Sequence, residues 1–456
     1  MDKIIIFLYH KSQVDNLLRF KKAFLIVGDA AVFYFSLLVT LFIRYPDTFS
    51  KNIFNEHLGP FSLVLVLWFL IFYIAGLYDF KNLKNSLQFL KTLGASVLIN
   101  ILTASALFYI FSFGISPKRN LLLFAFVFNL LTAFWRSGFN TLVSRRQPQK
   151  TLVIGDSPLI QETLNYLRQN PQLGYEVAGW LKRGINDPEL ANLSQIITDQ
   201  KITTLIIPPY LKENQKLIQT LYKNLALGVE ISDLTDFFEQ VFKKTPLSEL
   251  EEHWFLENLA KPRQLYETFK RPLEIFLTSI ILLITSPLFL IIGFLIKITS
   301  PGPIIYKQTR IGQLEKPFIL YKFRTMKADA EKNGPQWASK NDSRVTFIGR
   351  ILRFCHLDEL PQLFNIFKGE LSFVGPRPER PEFIKELKEK IPYYEIRHLV
   401  KPGITGWAQI NYRYGASLED AYKKLEYDIF YLKNRSLILD LLIILKTIKA
   451  IFATPR

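Results

Sequence analysis

Cysteine and histidine are scarce in this chain of 456 residues. The single cysteine, Cys355, excludes an intramolecular disulfide and a thiolate-ligated metal cluster, and five histidines leave little scope for a zinc site. Acidic residues are outnumbered by basic ones, 40 against 57, so the formal net charge is +17. Such an excess is typical of proteins that bind nucleic acid, anionic lipid or phosphorylated substrates. Long apolar runs favour the last two and argue against nucleic acid.

The N-terminus also lacks the pattern of a cleavable signal peptide, because no small-residue cleavage site follows its first apolar run. Residues 23–43 are therefore expected to be a retained membrane span. Runs near 58–78, 92–114 and 120–138 are each about 20 residues long, which is enough to cross a bilayer. Basic residues cluster before the first run, between the second and third, and after the fourth. This bias predicts a four-helix transmembrane bundle over residues 1–145 with both ends in the cytoplasm.

One acidic residue, Asp29, lies inside the first apolar run. An ionisable group within a membrane span is often functional. Because Asp29 lies near the end of the run, we favour a role in helix packing or at the interface.

Residues 146–260 alternate short apolar runs with amphipathic ones, which predicts a parallel, Rossmann-like sheet. The predicted strands are 151–154, 175–180, 204–207 and 229–231. A dinucleotide-binding fingerprint would place three glycines after the first strand, but only Gly155 is present; Ser157 and Ile160 occupy the other positions. We therefore favour a structural or regulatory module over a dinucleotide site.

The third predicted part, residues 261–456, opens with an apolar run from Leu273 to Ile296 that basic residues flank. Ser286 and Pro287 stand in the middle of this run, and proline removes a helix hydrogen bond and kinks the chain. If the run turns back at this pair, segment 270–298 is a re-entrant helix and both of its ends stay in the cytoplasm. We favour this interpretation over an ordinary kinked span.

Shorter elements are predicted further along the third part. Segments 304–307 and 318–322 flank a turn and are expected to pair as strands. Residues 347–354 and 361–368 are predicted to form short helices. The apolar stretch 437–452 carries charged residues, which is typical of an amphipathic interfacial helix.

An acidic pair, Asp358 and Glu359, precedes the second of these short helices. The partial positive charge at a helix N-terminus stabilises a capping carboxylate and also suits a bound phosphate. An ionised aspartate at such a place can attack phosphorus or hold a divalent cation. For an isolated pair, plain helix capping would be the better interpretation, but nearby cations favour phosphate chemistry. The candidate phosphate ligands are Lys322, Arg324, Arg353 and Arg377.

Several motifs between residues 265 and 456 carry a resemblance to a known family. They are Lys270-Arg-Pro-Leu-Glu274, Ser286-Pro287, Ser300-Pro-Gly-Pro303, Tyr321-Lys-Phe-Arg-Thr-Met326, Leu357-Asp-Glu-Leu-Pro-Gln-Leu363, Gly369-Glu-Leu-Ser-Phe-Val-Gly-Pro-Arg-Pro378, Pro402-Gly-Ile-Thr-Gly-Trp407 and Tyr427-Asp428. With them the chain resembles the bacterial polyprenyl-phosphate hexose-1-phosphate transferases. Its first two parts resemble the larger members, so the resemblance is expected to be full length. Two positions depart from the pattern: Glu274 replaces the usual aspartate, and Cys355-His356 replaces small hydroxylated residues.

The resemblance implies a transfer in two steps. Asp358 would attack the β-phosphate of a cytoplasmic UDP-sugar and release UMP, and the aspartyl sugar phosphate would pass its phosphosugar to undecaprenyl phosphate. Glu359 would assist proton transfer or help Asp358 hold Mg²⁺. UDP-glucose or UDP-galactose is the expected donor, with an N-acetylated hexosamine left open.

The implied setting is the bacterial inner (cytoplasmic) membrane, with a multi-pass chain whose catalytic domain faces the cytoplasm. The reaction would be the first membrane step of exopolysaccharide, O-antigen or capsule synthesis. The expected partners are the UDP-sugar, undecaprenyl phosphate, the lipid bilayer and a second copy in a homodimer, with no nucleic acid.

The predicted fold class is membrane α plus α/β. It combines a four-helix transmembrane bundle, a Rossmann-like module, and a catalytic domain with a re-entrant helix and amphipathic interfacial helices. Two other functions stay open at this point. One is a non-catalytic membrane scaffold or nucleotide sensor, in which the acidic pair only caps a helix. The other is a membrane oxidoreductase that uses the α/β module, and the missing glycines count against it.

A re-entrant helix makes a testable prediction about topology. A cysteine placed directly after Ile298 should be labelled from the cytoplasmic side, because both ends of a re-entrant helix lie on one side of the bilayer. Labelling with a membrane-impermeant maleimide in spheroplasts and in inverted vesicles would measure this. Labelling from the periplasm would overturn the re-entrant interpretation.

Overall fold

The computed structural model has two compact units, Met1–Gln240 and Val241–Arg456. It describes residues 2–79, 84–111, 113, 117–145, 148–184, 188–260, 263–327, 342, 344–412, 415 and 417–453. In chain order its helices are α1 Asp2–Arg44, α2 Lys51–Ala75, α3 Leu87–Ile110, α4 Pro117–Arg145, α5 Pro158–Gln169, α6 Leu193–Gln200, α7 Gln215–Asn224, α8 Leu234–Phe242, α9 Glu252–Leu259, α10 Gln264–Thr299, α11 Phe347–Phe354, α12 Gln362–Lys368, α13 Pro381–Lys390, α14 Trp407–Asn411, α15 Leu418–Asn434 and α16 Leu437–Ala453. The strands are β1 Gln149–Ile154, β2 Tyr175–Leu181, β3 Thr204–Ile207, β4 Glu230–Asp233, β5 Ile305–Ile311, β6 Pro317–Phe323, β7 Ser372–Val374 and β8 Gly403–Thr405. The first unit holds both α1 to α4 and β1 to β4, and the division into three parts stays a prediction.

Helices α1 to α4 share one aromatic core. The ring centroids of Phe33 and Phe124 lie 4.8 Å apart, and those of Trp68 and Phe128 lie 4.9 Å apart. All four side chains are buried. Each of the four helices contains a stretch long and apolar enough to cross a membrane, and so does α10. The apolar runs of the sequence are therefore confirmed as membrane-compatible helices.

Helices α2 and α3 begin several residues before the predicted apolar runs. The Ser50 side chain accepts a hydrogen bond from the Ile53 amide, and the Ser86 side chain accepts one from the Phe89 amide. A serine at this position satisfies an amide that has no partner within the helix. The caps, rather than the first apolar residues, therefore set the start of both helices.

A buried ion pair links α1 to α4. Arg136 donates from Nη2 to Asp29 Oδ2 at 2.6 Å and from Nε to Asp29 Oδ1 at 3.1 Å. The Tyr78 hydroxyl donates to Asp29 Oδ2 at 2.8 Å, and Arg136 also donates to the Leu77 carbonyl at 2.9 Å. Asp29 and Arg136 are almost fully buried, at 0% and 1% exposed. These contacts confirm the packing role that we favoured for Asp29.

This ion pair predicts a strong effect when one partner is removed. Asp29→Leu should lower the free energy of unfolding by about 3–5 kcal/mol, because it leaves the Arg136 charge buried without its carboxylate. Replacing both residues by leucine should restore much of the loss. Thermal unfolding of the full chain in detergent would measure both variants, with Asp47→Asn as a surface control. An unchanged midpoint for Asp29→Leu would contradict the assigned role.

Strands β1 to β4 form a parallel sheet in the order β2-β1-β3-β4. Ligands of such sheets bind where the strand order reverses, here between the carboxyl ends of β1 and β3. At that point Gly155 has a φ of 107°, and a side chain there would meet the Tyr210 hydroxyl at 2.8 Å and Pro208 at 3.1 Å. The chain's own side chains thus fill this turn, which agrees with a structural or regulatory module.

In the second unit, α10 continues for 36 residues through both Pro272 and Pro287. This differs from the predicted break, since the helical backbone passes through Ser286 and Pro287. Pro287 has no N–H to offer the Leu283 carbonyl, and the Ser286 hydroxyl donates to that carbonyl at 2.8 Å instead. The serine therefore replaces the hydrogen bond that the proline removes. The re-entrant path through the membrane stays a prediction.

Both halves of α10 pack into apolar clusters that also contain residues of β6. Ile281 packs against the cluster of buried side chains that contains Phe318, at the start of β6. Ile292 and Ile296 belong to the cluster that contains Phe323, at the end of β6. The two clusters lie at the two ends of one seven-residue strand. Both halves of α10 therefore pack onto the folded part of the second unit.

The described strands of this unit form two small sheets of two strands each. β5 and β6 pair antiparallel around a turn, as predicted, and β7 pairs with β8 in parallel. α16 exposes Ile438 and Leu441 but buries Ile443. The role of α16 as an amphipathic interfacial helix stays a prediction.

Candidate active site

The acidic pair lies in a tight turn between two helices. α11 ends at Phe354 with Cys355 as its C-cap, and His356 then adopts a left-handed conformation with a φ of 55°. Leu357–Glu359 forms a single 3₁₀ turn in which Asp358 and Glu359 are 5% and 9% exposed. Asp358, which the sequence predicts to lie near the N-terminus of α12, stands three residues before the cap position; Pro361 occupies that position, and no side chain makes a capping hydrogen bond there. The turn before α12, rather than the helix end itself, positions the acids.

Two leucines flank the acids and attach the turn to α10. Leu357 and Leu360 pack against the cluster formed by Ile292 and Ile296 of α10 with Phe323 of β6. Full burial of a leucine contributes about 1.5–3 kcal/mol, and these two half-buried side chains contribute a part of that each. The acidic turn is therefore held directly against the carboxyl-terminal half of a membrane-compatible helix.

Two of the predicted phosphate ligands meet at Glu359. Lys322 Nζ donates to Glu359 Oε1 at 2.9 Å, and Arg377 Nη2 donates to the same oxygen at 3.1 Å. Lys322 comes from β6, and Arg377 comes from the loop that follows β7. The side chains of Lys322, Arg377 and Glu359 are 18%, 29% and 10% exposed. The cluster is therefore only partly shielded from solvent. Three segments distant in sequence thus bring two cations and a carboxylate together beside Asp358.

The other two predicted phosphate ligands bond elsewhere. Arg324 is 5% exposed, and its guanidinium donates to the carbonyls of Ser300 and Pro301, both at 2.7 Å. It thereby fixes the turn that follows α10. Arg353 Nε donates to the Thr325 hydroxyl at 2.9 Å. The phosphate role of these two arginines stays a prediction.

Known proteins resemble this chain over most of its length. The family model described as bacterial sugar transferase matches residues 265–454. A UDP-glucose:undecaprenyl-phosphate glucose-1-phosphate transferase from Klebsiella pneumoniae is 31% identical over 438 residues, which cover 90% of this chain and 92% of that protein. The chain belongs to the bacterial polyprenyl-phosphate hexose-1-phosphate transferase family. This is a family of sugar-phosphate transferases.

Other relatives of this family match parts of the chain. A UDP-N-acetylgalactosamine-undecaprenyl-phosphate N-acetylgalactosaminephosphotransferase from Aeromonas hydrophila is 44% identical over 190 residues, which span 42% of this chain and 45% of that protein. A UDP-glucose:undecaprenyl-phosphate glucose-1-phosphate transferase from Escherichia coli is 33% identical over 313 residues, 65% of this chain and 66% of that protein. The chain therefore spans less than half of the Aeromonas protein, and the names of these relatives differ in the sugar.

The acidic turn of this transferase-family chain was predicted to hold a magnesium ion through Asp358 and Glu359. Among the described residues, no three His, Cys, Asp or Glu side chains form a cluster that could hold a metal ion. Mg²⁺ that binds with a phosphorylated substrate needs only one or two carboxylates, because water and phosphate oxygens complete its shell. Asp358 and Glu359 offer two carboxylates that are adjacent in sequence, and their role as magnesium ligands stays a prediction.

One residue of the site carries no sequence signal that identified it. Asn365 of α12 is fully buried and bonds along the free edge of β6. Its Oδ1 accepts from the Tyr321 amide at 3.1 Å, and its Nδ2 donates to the Ile319 carbonyl at 2.7 Å. A single side chain thus pairs with β6 as a neighbouring strand would, and it fixes α12 beside Lys322.

Replacing this asparagine should destabilise the catalytic unit. Asn365→Leu should lower the free energy of unfolding by about 1–3 kcal/mol, because a part-buried amide and a part-buried carbonyl of β6 lose their partners. Asn258→Leu is the matched control, since its amide donates only to Trp254 within one helix. Denaturant unfolding of the full chain in detergent would compare the two. Equal, small losses would show that α12 is held by its apolar contacts alone.

Proposed function

We propose that the chain transfers a hexose-1-phosphate from a UDP-sugar to undecaprenyl phosphate and releases UMP. The observation that carries the proposal is the acidic turn beside α10, with Lys322 and Arg377 at the Glu359 carboxylate. A sugar nucleotide requires cations and a nucleophile, and a polyprenyl acceptor requires a site next to the membrane. The relatives are named as transferases that use UDP-sugars and undecaprenyl phosphate, which supports the same reaction.

In the proposed first step, the Asp358 carboxylate oxygen attacks the β-phosphorus of the UDP-sugar. A bond forms between that oxygen and phosphorus, and the bond from phosphorus to the bridging oxygen of the pyrophosphate breaks. UMP leaves with the electron pair, and the enzyme holds an aspartyl sugar phosphate. Glu359 already engages two cations, which suits holding rather than attack, so the neighbouring Asp358 is the proposed nucleophile.

In the second step, a phosphate oxygen of undecaprenyl phosphate attacks the same phosphorus. The acyl phosphate bond breaks, the Asp358 carboxylate is regenerated, and the lipid diphosphate sugar is released. Leu357 and Leu360 support this step, because they place the acidic turn against the apolar surface of α10, where a lipid phosphate is accessible. The aspartate thus splits one displacement into two easier ones.

The cations of the site suit the charge of both steps. Lys322 and Arg377 lie at Glu359 and are positioned to orient the donor phosphates, since positioning and electrostatics dominate phosphoryl transfer. Asp358 and Glu359 would hold Mg²⁺, which when bound would neutralise charge on the phosphates. Arg377 offers a planar fork for two phosphate oxygens, and Lys322 offers a point charge.

The proposed location follows from the same helices. α1 to α4 and α10 are proposed to anchor the chain in the bacterial inner membrane, with the acidic turn on the cytoplasmic side where UDP-sugars occur. α10 is proposed to be re-entrant, and the apolar clusters that join both of its halves to the folded part of the second unit support that path. The four first helices are proposed to form a transmembrane bundle, and the parallel sheet a Rossmann-like module.

The proposed donor is a UDP-hexose, with UDP-glucose or UDP-galactose expected and an N-acetylated hexosamine as the other class. The product would begin the synthesis of an exopolysaccharide, O-antigen or capsule. A homodimer is the proposed assembly, and its test is the mass of the detergent-solubilised chain.

The reaction predicts complete dependence on one carboxylate. Asp358→Asn should lower UMP release by at least about 10³-fold with every donor, because the amide cannot form the acyl phosphate. The assay follows UMP from UDP-glucose, UDP-galactose and their N-acetylated counterparts, with undecaprenyl phosphate and Mg²⁺. Donor labelled in the sugar should also leave label on the wild-type protein when the acceptor is omitted.

A matched control is Glu386→Gln, which removes a surface carboxylate that pairs only with Lys390 on α13. It should keep full turnover and full labelling. Release of UMP by Asp358→Asn at the wild-type rate would overturn the nucleophile. No UMP from wild-type protein with any donor would favour the non-catalytic scaffold.

A further inference from the structure

We propose that the buried pair Arg397 and Asp428 positions Arg377, and through it Glu359, for the reaction at Asp358. The inference rests on the proposed function and deepens it. Neither Arg397 nor Asp428 is among the residues that the sequence predicts for phosphate or metal. Their role follows from a continuous chain of hydrogen bonds that leads to the acidic turn.

The first link is the backbone that carries Arg377. Gly375 donates its amide to the Thr405 carbonyl at 2.9 Å, and Gly403 donates its amide to the Pro376 carbonyl at 2.9 Å. A side chain on Gly375 would come within 2.3 Å of the Lys401 carbonyl oxygen. Two backbones therefore touch without side chains between them, which fixes the loop up to Pro376.

The second link holds the loop at Arg377 itself. Arg397 Nη2 donates to the Arg377 carbonyl oxygen at 3.0 Å. The next carbonyl, that of Pro378, accepts from Arg310 Nη1, also at 3.0 Å. Two arginines from other elements thus fix consecutive carbonyls, and the direction of the Arg377 side chain depends on them.

The third link is the ion pair that fixes Arg397. Its Nη2 lies 2.9 Å from Asp428 Oδ2, its Nε donates to the same oxygen at 3.1 Å, and its Nη1 contacts the Tyr394 hydroxyl at 2.6 Å. Arg397 is 6% exposed and Asp428 is 2% exposed. A pair so enclosed lies beneath the surface that receives substrate, so it acts through Arg377 and not by contact with the substrate.

The charge state of the pair agrees with this role at neutral pH. Burial raises the pKa of Asp428 to about 6, while the positive charge of Arg397 opposes the rise. Asp428 is therefore ionised at pH 7 to 8 and holds the guanidinium. Glu379, Lys424, Tyr394 and His398 are further titratable groups near the pair.

The last link joins the pair to the acids. Arg377 Nη2 lies 3.1 Å from Glu359 Oε1, the oxygen that also accepts from Lys322. A shift of Arg377 would therefore remove one of the two cations from Glu359. Small displacements of such groups cost large factors in rate, because catalysis here depends on position.

A double-mutant cycle on the full chain in detergent tests the proposal. Arg397→Lys keeps the charge but cannot hold Asp428, Tyr394 and the Arg377 carbonyl together, and it should lower kcat for UMP release about 10-fold. Arg377→Met should lower kcat about 100-fold. The double variant should match Arg377→Met within about 2-fold, because Arg397 acts through Arg377. If the two losses multiply, the proposal is overturned.

A second variant separates positioning from folding. Arg397→Met with Asp428→Leu replaces the ion pair by apolar side chains, an exchange that often preserves stability. Its unfolding midpoint should stay near that of the wild type while kcat stays about 10-fold low. A stable protein with wild-type kcat would overturn the proposal. Arg435→Lys is the matched control: Arg435 also fixes a carbonyl, that of Leu432, and pairs with Glu267, and its kcat should not change.

Binding of UDP distinguishes failure of this inference from failure of the proposed function. Calorimetry with UDP should show weaker binding for Arg397→Lys and still weaker binding for Arg377→Met, because the first displaces a phosphate ligand that the second removes. The double variant should bind UDP as Arg377→Met does. If the wild type forms no UMP, the proposed reaction fails, yet this binding pattern would still support the positioning pair. Weakened binding by Arg377→Met with unchanged binding by Arg397→Lys would overturn the pair while leaving the reaction intact.

Discussion

The cluster of Glu359 with Lys322 and Arg377 is the interaction around which the second unit is built. It gathers a strand, a turn and a loop that lie far apart in sequence, and it does so next to apolar side chains of α10. Charges so placed are costly unless each has a partner. The surrounding structure meets that condition by fixing each segment separately: Asn365 fixes α12 at β6, and Arg397 fixes the loop of Arg377.

The apolar helix places a second constraint on the same site. A helix that carries proline in an apolar environment has to satisfy the carbonyl that the proline leaves without a donor. The Ser286 hydroxyl does this within its own turn, so α10 continues past Pro287 to Ile292 and Ile296. Those two isoleucines then contact Leu357 and Leu360 on either side of the acids. The position of the acidic turn beside this membrane-compatible helix therefore depends on the hydrogen bond by which Ser286 replaces the one that Pro287 removes.

Patterns that repeat along the chain predicted the elements of the fold, because periodicity reports which face of an element is buried. The strands of the parallel sheet and the hairpin of β5 and β6 are examples. Helix starts were harder, since a single serine cap such as Ser50 outweighs the apolar pattern. The basic residues around the acidic pair identified it as a candidate site, but they did not predict the geometry of its turn. A left-handed His356 inserts a separate turn before α12, and no pattern of charge reveals that.

Residue type also could not separate the cations that meet Glu359 from those that hold the backbone. Arg324 and Arg377 both looked like phosphate ligands, yet Arg324 fixes the turn after α10 while Arg377 reaches Glu359. Asn365 and Arg397 act on backbone groups of distant segments, so their importance appears only when those segments meet in space. Long-range contacts of this kind leave no local signal.

In the proposed reaction, the acidic turn and its cations act on the phosphates, which all UDP-sugars share. The same cluster therefore serves a glucose donor and an N-acetylgalactosamine donor equally well. The names of the relatives differ in this respect: the Klebsiella protein, which matches 90% of the chain, is named for glucose, and the Aeromonas protein, which matches 42% of it, is named for N-acetylgalactosamine. Discrimination between sugars requires groups that contact the hydroxyl or acetamido substituents of the ring, because an unmatched polar partner there costs far more than a changed contour. The choice of sugar must accordingly be made by residues outside the cluster of Lys322, Glu359 and Arg377, while that cluster fixes the type of reaction.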